Sequence, residues 1–402
     1  MNNEFLLTLA KHEGRQAWLG VKMPLRMEAI DLFNSTNFRV SAALHQKFSV
    51  VWIFEKILND LSGNSWKIVL DEVIRLFAEE GYLVLKIRNT DKLSIPMVKS
   101  FLGRRIGIKC EVEYEEIRDS GVIVFKIFRE CLDLYAAKKW SFAMLTMGDK
   151  VDNVISFLKS IREYDKLYEN EILIVGPQNN AYDKYEIKYI DTKLFRDDKY
   201  AEICKKKNEI IKIATNPNLM IVHDRYILGE KFFEGFEEYG YDFDFLTVKQ
   251  YDTEGNEFPS YSATKKKLLY SGQVQVDDYS KLYDTQYLNG GLLIFKTHIA
   301  KKIKFNNIIM WDQMEDVEIS QIAIEKGIIP RINFLSTANT LLVKSGYLAS
   351  WIKDSDEKDI LESCYFIDTE TNFSLIKLMS KHISVRFKQW KIYRILKRII
   401  IH

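Results

Sequence analysis

The spacing of apolar positions divides the first third of the chain into alternating helices and strands. In NSWKIVLDEVIRLFAEEG, apolar residues recur at helical spacing, which predicts an amphipathic helix that ends at Gly81. The predicted elements that follow are a buried strand YLVLKI, a short helix SIPMVKSFLGRR, and a hairpin of IKCEVEYEEI and GVIVFKIF. We therefore expect residues 1–138 to form a smaller N-terminal α/β domain.

The pattern changes near residue 139, where apolar strands begin to alternate with amphipathic helices. The predicted elements, in chain order, are the strand WSFAMLTM, the helix VDNVISFLKSIREY, the strand EILIVGP, the helix YAEICKKKNEIIKIA and the strand NLMIVHDRYI. This alternation predicts a parallel sheet, in which ligands bind at the carboxyl ends of the strands. Residues 231–285 have no clean period and predict long loops, whereas YLNGGLLIFK, VEISQIAIEKG and IIPRINFLS return to regular patterns.

Composition and charge restrict the classes of function. A length of 402 residues favours two or three domains, and a net charge of +2 gives no general attraction to nucleic acid. No stretch reaches the roughly 18–20 apolar residues of a membrane-spanning helix, and the N-terminus has no signal-peptide pattern. Scattered thiols without metal or redox spacing fit a reducing cytoplasm; they are Cys110, Cys131, Cys204 and Cys364.

The C-terminal segment 371–402 contains eight Lys or Arg residues and no Asp or Glu. Apolar and aromatic residues are interleaved with these cations, so the segment predicts a basic amphipathic helix that is too charged to span a bilayer. One interpretation is binding to an anionic membrane surface. The alternative is a terminal helix that docks on its own domain. We assign residues 346–402 to this C-terminal helical region.

Negative charge is concentrated in WDQMEDVEIS, directly before a predicted helix. Its carboxylates are Asp312, Glu315, Asp316 and Glu318. A carboxylate at a helix N-terminus is stabilised as the anion, and it can serve as a base aimed at a substrate hydroxyl. The structural alternative is that these acids only cap the helix.

Taken in chain order, five features of residues 139–345 resemble a GT-A-fold glycosyltransferase of family 2. They are an opening strand, a helix carrying KKN, an apolar strand ending in VHDR, the glycine pair of YLNGGLLIF, and the helix start MEDVEI. This resemblance implies a GT-A domain with a mixed sheet and flanking helices. It also implies a nucleotide-sugar donor and a glycan or lipid-linked acceptor.

The resemblance further implies roles for individual residues in an inverting transfer. Asp316 would be the catalytic base, and Glu315 would contact the acceptor or orient its loop. Donor binding would fall to Thr146, Gly148, Gly176, Lys207, Asn208, Asp224 and Arg225. Lys206 would point elsewhere on its helix. Acceptor binding would fall to Asn289, Gly290, Gly291 and Trp311.

The motif at residues 223–225 departs from the family pattern. Family members usually carry Asp-x-Asp there and hold a divalent cation with it, whereas this chain has His223, Asp224 and Arg225. Hard cations prefer several oxygen ligands, so a single Asp beside an Arg is a poorer site. The resemblance implies a weakened Mg²⁺ or Mn²⁺ site at Asp224. The alternatives are direct contact of Arg225 with phosphate oxygens, or a simple Asp–Arg ion pair.

These expectations combine into a cytoplasmic, peripheral hexosyltransferase at the inner face of the plasma membrane. It would extend a bacterial surface polysaccharide such as O-antigen lipopolysaccharide or capsule. Residues 1–138 resemble, in pattern only, the closing half of a class I methyltransferase sheet, and would serve docking, acceptor placement or homo-oligomer formation. The alternatives are a non-catalytic glycosyltransferase-like scaffold, or a bifunctional protein whose N-terminal domain binds S-adenosylmethionine.

Overall fold

The chain divides into two compact units, Met1–Glu362 and Ser363–His402. The computed structural model describes residues 4–20, 27–33, 35–54, 57–116, 120–167, 169–190, 201–266, 271–343, 348 and 351–353. The second unit, and with it the predicted basic helix of 371–402, lies outside the described residues. Within that described part, no helix is both long and apolar enough to cross a bilayer.

The N-terminal part of the first unit is built on a six-stranded sheet. Its elements are α1 (Glu4–Ala10), β1 (Gln16–Leu19), β2 (Glu28–Ala29), β3 (Phe48–Ile53), α2 (Ser65–Leu76), β4 (Phe77–Arg88), α3 (Ile95–Arg104), β5 (Ile108–Glu116), β6 (Ser120–Arg129) and α4 (Leu132–Ala136). The strand order is β2-β1-β3-β4-β6-β5. Neighbours pair in parallel from β2 to β4, and β6 lies antiparallel between β4 and β5. The predicted pairing of these two segments as a hairpin is therefore present as β5 and β6.

The predicted end of the second helix at Gly81 is wrong. The helix α2 ends at Leu76, and Phe77 already has the extended φ/ψ of β4. Gly81 pairs with Ile127 inside the sheet, and a Cβ added to it would lie 2.9 Å from the carbonyl oxygen of Ser49. The segment FAEEG has a helical pattern, but pairing with two neighbouring strands overrides this local preference.

The second part of the first unit is built on a larger sheet. Its elements are β7 (Trp140–Leu145), α5 (Val151–Arg162), β8 (Glu171–Val175), β9 (Lys188–Ile190), α6 (Ile203–Ile213), β10 (Asn218–His223), β11 (Tyr226–Leu228), α7 (Phe232–Tyr239), β12 (Phe245–Tyr251), β13 (Glu257–Phe258), β14 (Tyr261–Lys266), β15 (Ser271–Gln275), β16 (Gln286–Leu288), β17 (Leu292–Lys296), α8 (Thr297–Ala300), α9 (Glu315–Glu325), β18 (Arg331–Thr340) and β19 (Ile352–Lys353). The main sheet runs β11-β18-β12-β17-β10-β7-β8-β9 with β13 on β12, and β16-β14-β15-β19 form a small separate sheet.

The main sheet is mixed. Strands β7 to β10 pair in parallel, whereas β17 is antiparallel to both β10 and β12. The predicted α/β class, with a mixed sheet and flanking helices, is confirmed and is consistent with a GT-A-like fold. Because β17 runs against β10, the residues that precede β17 lie at the same sheet edge as the residues that follow β7 and β10.

The prediction of long loops over residues 231–285 is wrong, because this range contains α7 and β12 to β15. The sequence pattern does not reveal these strands, because they bury polar side chains as well as apolar ones. Gln250 of β12 donates to the Thr247 hydroxyl, and both side chains are fully buried. Buried polar side chains of this kind remove the apolar alternation by which a strand is recognised.

A buried ionic cluster joins the two sheets of the first unit. It consists of Arg39, Asp71, Glu72, Arg75, Arg105, Arg129, Asp242, Asp244 and Arg331. Arg105 Nη2 lies 2.8 Å from Asp244 Oδ2, and Arg129 Nη2 lies 2.9 Å from Asp242 Oδ2. Burial opposes ionisation of both aspartates, but the surrounding guanidinium groups outweigh it and hold their pKa values below the usual range.

Candidate functional site

A cleft of about 600 Å³ opens at the sheet edge where β7 and β10 end and β17 begins. It is lined by predicted site residues from four separate segments, namely Thr146, Asp224, Arg225, Asn289, Gly290, Gly291, Trp311, Glu315 and Asp316. The position agrees with the general rule that ligands bind at the carboxyl ends of strands in such sheets. Asp316 and Asp224, which are 92 positions apart in the chain, therefore face one cavity.

The glycine pair forms the floor between the two acidic motifs. A Cβ at Gly290 would lie 2.8 Å from the Cβ of Asp316, and a Cβ at Gly291 would lie 3.0 Å from Arg225 Nη2. The Gly291 carbonyl also accepts a hydrogen bond of 3.0 Å from the backbone of His223. Because both positions are glycine, the start of α9 and the end of β10 can both lie close to the segment that precedes β17.

Asp316 lies in the first turn of α9, and each carboxylate oxygen accepts one backbone N–H. Oδ2 accepts from Gly290 at 2.9 Å, and Oδ1 accepts from Val317 at 2.9 Å. Burial, and then the charge of Glu315, raise the pKa of Asp316 to about 6. The capping interpretation is therefore compatible with a chemical role, because each oxygen keeps a lone pair for a further donor.

Glu315 forms an ion pair with a buried lysine, Lys207. Lys207 Nζ lies 3.2 Å from Glu315 Oε1 and donates to the Gly290 carbonyl at 3.1 Å. The Lys207 side chain is fully buried and does not line the cleft. Lys207 thus holds Gly290 of the floor and Glu315 of the acidic motif. We predicted instead that it would lie beside the nucleotide.

The two neighbours of Lys207 also differ from the sequence prediction. Lys206, which we expected to point elsewhere, lines the cleft. Asn208 does not line it, because its side chain donates to the Phe305 carbonyl and accepts from the Phe305 N–H. The residue of α6 that lines the cleft is therefore Lys206, and not Lys207 or Asn208 as the family pattern indicates.

On the opposite wall, Asp224 contacts two residues that follow β7. The Thr146 hydroxyl donates to Asp224 Oδ2 at 2.9 Å, and Lys150 Nζ lies 2.9 Å from Asp224 Oδ1. Gly148 does not line the cleft, but its N–H donates to the Thr146 hydroxyl at 3.1 Å. Gly176 lies behind the same threonine, since a Cβ there would be 2.4 Å from Thr146 Cγ2. These two glycines therefore position Thr146 and do not themselves line the cleft.

The residues around Asp224 do not fit a divalent cation. The Thr146 hydroxyl donates to one carboxylate oxygen and the Lys150 ammonium donates to the other, so a cation of the chain already lies beside this carboxylate. Among the described residues, no group of three or more His, Cys, Asp or Glu side chains could hold a metal. The nearby His223 is kept neutral, because burial and then the charges of Lys207 and Arg225 lower its pKa. The predicted weakened metal site at Asp224 therefore lacks the oxygen ligands it needs.

Arg225 does not pair with Asp224, so the Asp–Arg alternative is also excluded by geometry. Its guanidinium lies 5.4 Å from the centre of the Phe258 ring and 5.3 Å from that of Tyr226. Within the described part of the chain it has no carboxylate partner, and its buried Nε makes no hydrogen bond. An arginine fork held by aromatic rings at a cleft wall is suited to an anionic ligand.

Of the residues predicted for the acceptor, Trp311 lies at the mouth of the cleft and Asn289 lies at its floor. Trp311 is 45% exposed, and its backbone N–H donates to Ala201. The loop that carries it has left-handed backbone at Asp312 (φ 65°) and Met314 (φ 62°). Asn289 is buried, donates to the Pro259 carbonyl and accepts from Gly291, so it also holds the floor in place. Non-glycine residues with positive φ often cluster at functional sites.

Sequence reasoning missed several residues of the cleft. Those outside the predicted set include Met147, Asp149, Lys150, Ile203, Phe258, Gln273, Met314 and Val343. Lys150 follows β7 by five positions, so its place after a carboxyl strand end was a usable signal. Gln273 and Val343 carried none, because they come from segments with no recognisable motif.

Comparison with known proteins finds solved structures of low overall similarity. No family model and no curated protein matches the chain. A solved structure of S. aureus TarS 1–349 has a TM-score of 0.34 and 15% identity, covering 51% of this chain and 60% of that one. The same fragment in complex with UDP-GlcNAc gives 0.34 and 13%, covering 53% and 61%. GalNAc-T7 with UDP, GalNAc and Mn²⁺ gives 0.39 and 11%, covering 52% and 45%.

In each of these comparisons the chain spans less than two thirds of the other protein's length. About half of this chain is left uncovered in each. Similarities this slight assign neither an activity nor a substrate to it.

Proposed function

We propose that this chain is a glycosyltransferase that moves a sugar from a nucleotide-sugar donor to a glycan or lipid-linked acceptor. The observation that supports this most is the meeting of Asp316 and Arg225 over two consecutive glycines in one cleft. A base and an anion-binding cation side by side are the two groups that displacement of a diphosphate by a hydroxyl requires.

Asp316 is proposed as the base of an inverting displacement. Its carboxylate takes the proton of the acceptor hydroxyl while that oxygen bonds to the anomeric carbon of the donor sugar. The bond from this carbon to the diphosphate oxygen breaks on the opposite face, and its electron pair leaves with the nucleoside diphosphate. Lys207 fixes Glu315, and Gly290 fixes Asp316, so the base enters the reaction already oriented.

The donor and acceptor are assigned to opposite walls of the cleft. Thr146, Asp224, Arg225 and Lys206 would contact the donor, in place of Lys207 and Asn208, which do not line the cleft. Trp311 would offer an aromatic face to the acceptor sugar at the mouth, with Asn289 and the glycine pair beneath it.

The cellular setting is proposed from the sequence. A cytoplasmic, peripheral enzyme of bacterial surface polysaccharide synthesis would meet a lipid-linked acceptor at the inner face of the membrane, and 371–402 would bind the anionic surface. Deleting residues 375–402 should move the protein from the membrane fraction to the soluble fraction. Unchanged partitioning of the truncated chain would remove the anchoring role.

The test combines donor binding with turnover. Thermal shift and isothermal titration against UDP-, GDP- and dTDP-sugars identify the donor, and release of the nucleoside diphosphate reports transfer or hydrolysis. Asp316→Asn should lower turnover by about 10²- to 10⁴-fold with donor affinity nearly unchanged. Glu318→Gln is the matched control, because Glu318 lies in the same helical turn but contacts Asn306 instead of the cleft.

Two outcomes would contradict the proposal. Turnover by Asp316→Asn at the wild-type rate would show that Asp316 is not the base. A chain that binds no sugar nucleotide would favour the scaffold alternative, and stabilisation by S-adenosylmethionine alone would favour the methyltransferase-like one.

A further inference from the structure

The donor wall of the cleft carries positive charge where a related enzyme would place a metal ion. Lys150 and Arg225 line this wall, and Lys206 lines the same cleft. The lysine ammonium of residue 150 lies 2.9 Å from Asp224, and its side chain is 36% exposed toward the cleft. The one carboxylate of the motif is thus already neutralised by the chain itself.

Charge balance makes a metal ion unnecessary at this position. Two carboxylates and a divalent cation, the usual arrangement, have no net charge together. Asp224, Lys150 and Arg225 together keep one net positive charge. At this motif the protein groups are therefore at least as positive as two carboxylates with a divalent cation would be. Other carboxylates line the same cleft and add their negative charge in either case; they are Asp149, Asp312, Glu315 and Asp316.

The geometry leaves donors available for phosphate oxygens. An ammonium group has three N–H donors, so Lys150 can keep its contact with Asp224 and still donate to a ligand. Arg225 has no carboxylate partner among the described residues, and the rings of Tyr226 and Phe258 hold its planar fork. A guanidinium can then bind two phosphate oxygens at once.

We propose that Arg225 and Lys150 bind the diphosphate of the donor directly and take the place of a divalent cation, which makes the enzyme independent of metal. This inference rests on the proposed glycosyltransferase function. When the bond between sugar and diphosphate breaks, the added negative charge falls on a phosphate oxygen next to these two side chains. No proton transfer to the leaving group is required, because a nucleoside diphosphate is stable as the anion.

The test measures binding instead of turnover. Isothermal titration of the full chain with UDP, GDP, dTDP and inorganic pyrophosphate is run in EDTA and again with MnCl₂. The bound diphosphate should have the same affinity in both buffers. Arg225→Ala should weaken diphosphate binding by about 10- to 100-fold, as expected for the loss of charge-assisted hydrogen bonds. The corresponding nucleoside without phosphate should bind the variant and the wild type equally.

Matched variants separate charge from folding. Arg225→Lys retains the cation and should retain part of the affinity that Arg225→Ala loses. Lys150→Ala should weaken diphosphate binding, because it removes one donor and exposes the Asp224 carboxylate to the ligand. Lys188→Ala is the control, since Lys188 forms a similar ion pair with Glu171 at 2.8 Å outside the cleft. Thermal unfolding of each variant verifies that it is folded.

The outcomes distinguish this inference from the function on which it rests. Diphosphate binding that appears only with Mn²⁺, or that survives Arg225→Ala undiminished, would overturn the metal-free mechanism and leave the glycosyltransferase proposal standing. Failure of every nucleoside diphosphate and of pyrophosphate to bind in either buffer would overturn both.

Discussion

At Asp316, the hydrogen bonds that orient the carboxylate and the effects that raise its pKa come from different sources. The N–H groups of Gly290 and Val317 aim the carboxylate, and the same hydrogen bonds favour its ionised form. Burial and Glu315 act in the opposite direction and more strongly, so the pKa lies at about 6. A carboxylate with such a pKa is ionised at neutral pH yet is a stronger base than an exposed aspartate.

This residue should therefore set the acidic limb of the pH profile. Because only the ionised form accepts a proton, kcat/KM should fall by about tenfold per pH unit below 6 and level off above it. Glu315→Gln removes the like charge, which lowers the pKa of Asp316, and the limb should move to lower pH. Rate measurements across this range, with Glu318→Gln as control, check the prediction. A limb that does not move would show that Glu315 has no part in tuning the base.

The glycine pair predicts two distinguishable defects. Gly290→Ala places a methyl group 2.8 Å from the Cβ of Asp316, so it should displace the base and lower kcat by about 10²-fold, with donor affinity less affected. Gly291→Ala meets Tyr226 at 2.8 Å and Arg225 at 3.0 Å, so it should weaken donor binding first. Steady-state kinetics with donor titration separate these effects.

Gly103→Ala is the control for that pair, because a Cβ at Gly103 in α3 meets nothing within 4 Å. It should leave kinetics unchanged. Equal defects in kcat and in donor affinity for both cleft variants would contradict the assignment of one glycine to each wall.

At the scale of elements, the residues that follow β7 and β10, together with those of α6, show what sequence patterns can predict. Apolar runs located the strands, and the rule that ligands bind at carboxyl strand ends found Thr146 and Asp224. The pairing of Asp224 with Lys150 escaped because it depends on how two strand ends meet across 74 positions. The burial of Lys207 escaped for the same reason, since its partner Glu315 is 108 positions away. A charge run on a helix normally indicates a solvated face, and only a distant carboxylate reverses that.

The buried ionic cluster is the element-scale feature with the largest expected effect on stability. Asp244 accepts from Arg75, Arg105 and the Tyr135 hydroxyl, all with almost no exposure. Asp244→Asn removes the charge and leaves two buried guanidinium groups undercompensated, so the free energy of unfolding should fall by about 3–5 kcal/mol. Urea-induced unfolding measures this change.

An exposed ion pair provides the comparison. Glu237→Gln breaks the contact of Glu237 with Lys138 at the surface, and it should cost less than about 1 kcal/mol. Equal costs for the two variants would mean that the cluster adds nothing beyond a surface pair. Because the pKa values of Asp242 and Asp244 are lowered, their contribution is present above about pH 4 and is lost only as pH falls through those lowered values.

At the scale of the whole molecule, the division at residue 138 remains a prediction, although the contacts across it are extensive. The core under the N-terminal sheet includes Leu282 and Ile329 from the second part of the chain. Arg39 donates to the carbonyls of Tyr239 and Asp242, and Asn37 donates to that of Ile332. None of these contacts could be predicted from local patterns, because each joins residues about 200 or more positions apart.

We therefore expect the first unit, Met1–Glu362, to unfold in one cooperative transition rather than domain by domain. Separating the two sheets would leave Arg105 without Asp244 and Arg129 without Asp242. It would also expose the apolar core that the two sheets share. Urea titrations followed by far-UV circular dichroism and by tryptophan fluorescence should give coincident midpoints. Separately expressed 1–138 and 139–402 should fail to fold as stable monomers. Two resolved transitions, or a soluble 139–402 that binds nucleotide like the full chain, would show instead that the N-terminal sheet is an independent module whose charged interface is dispensable.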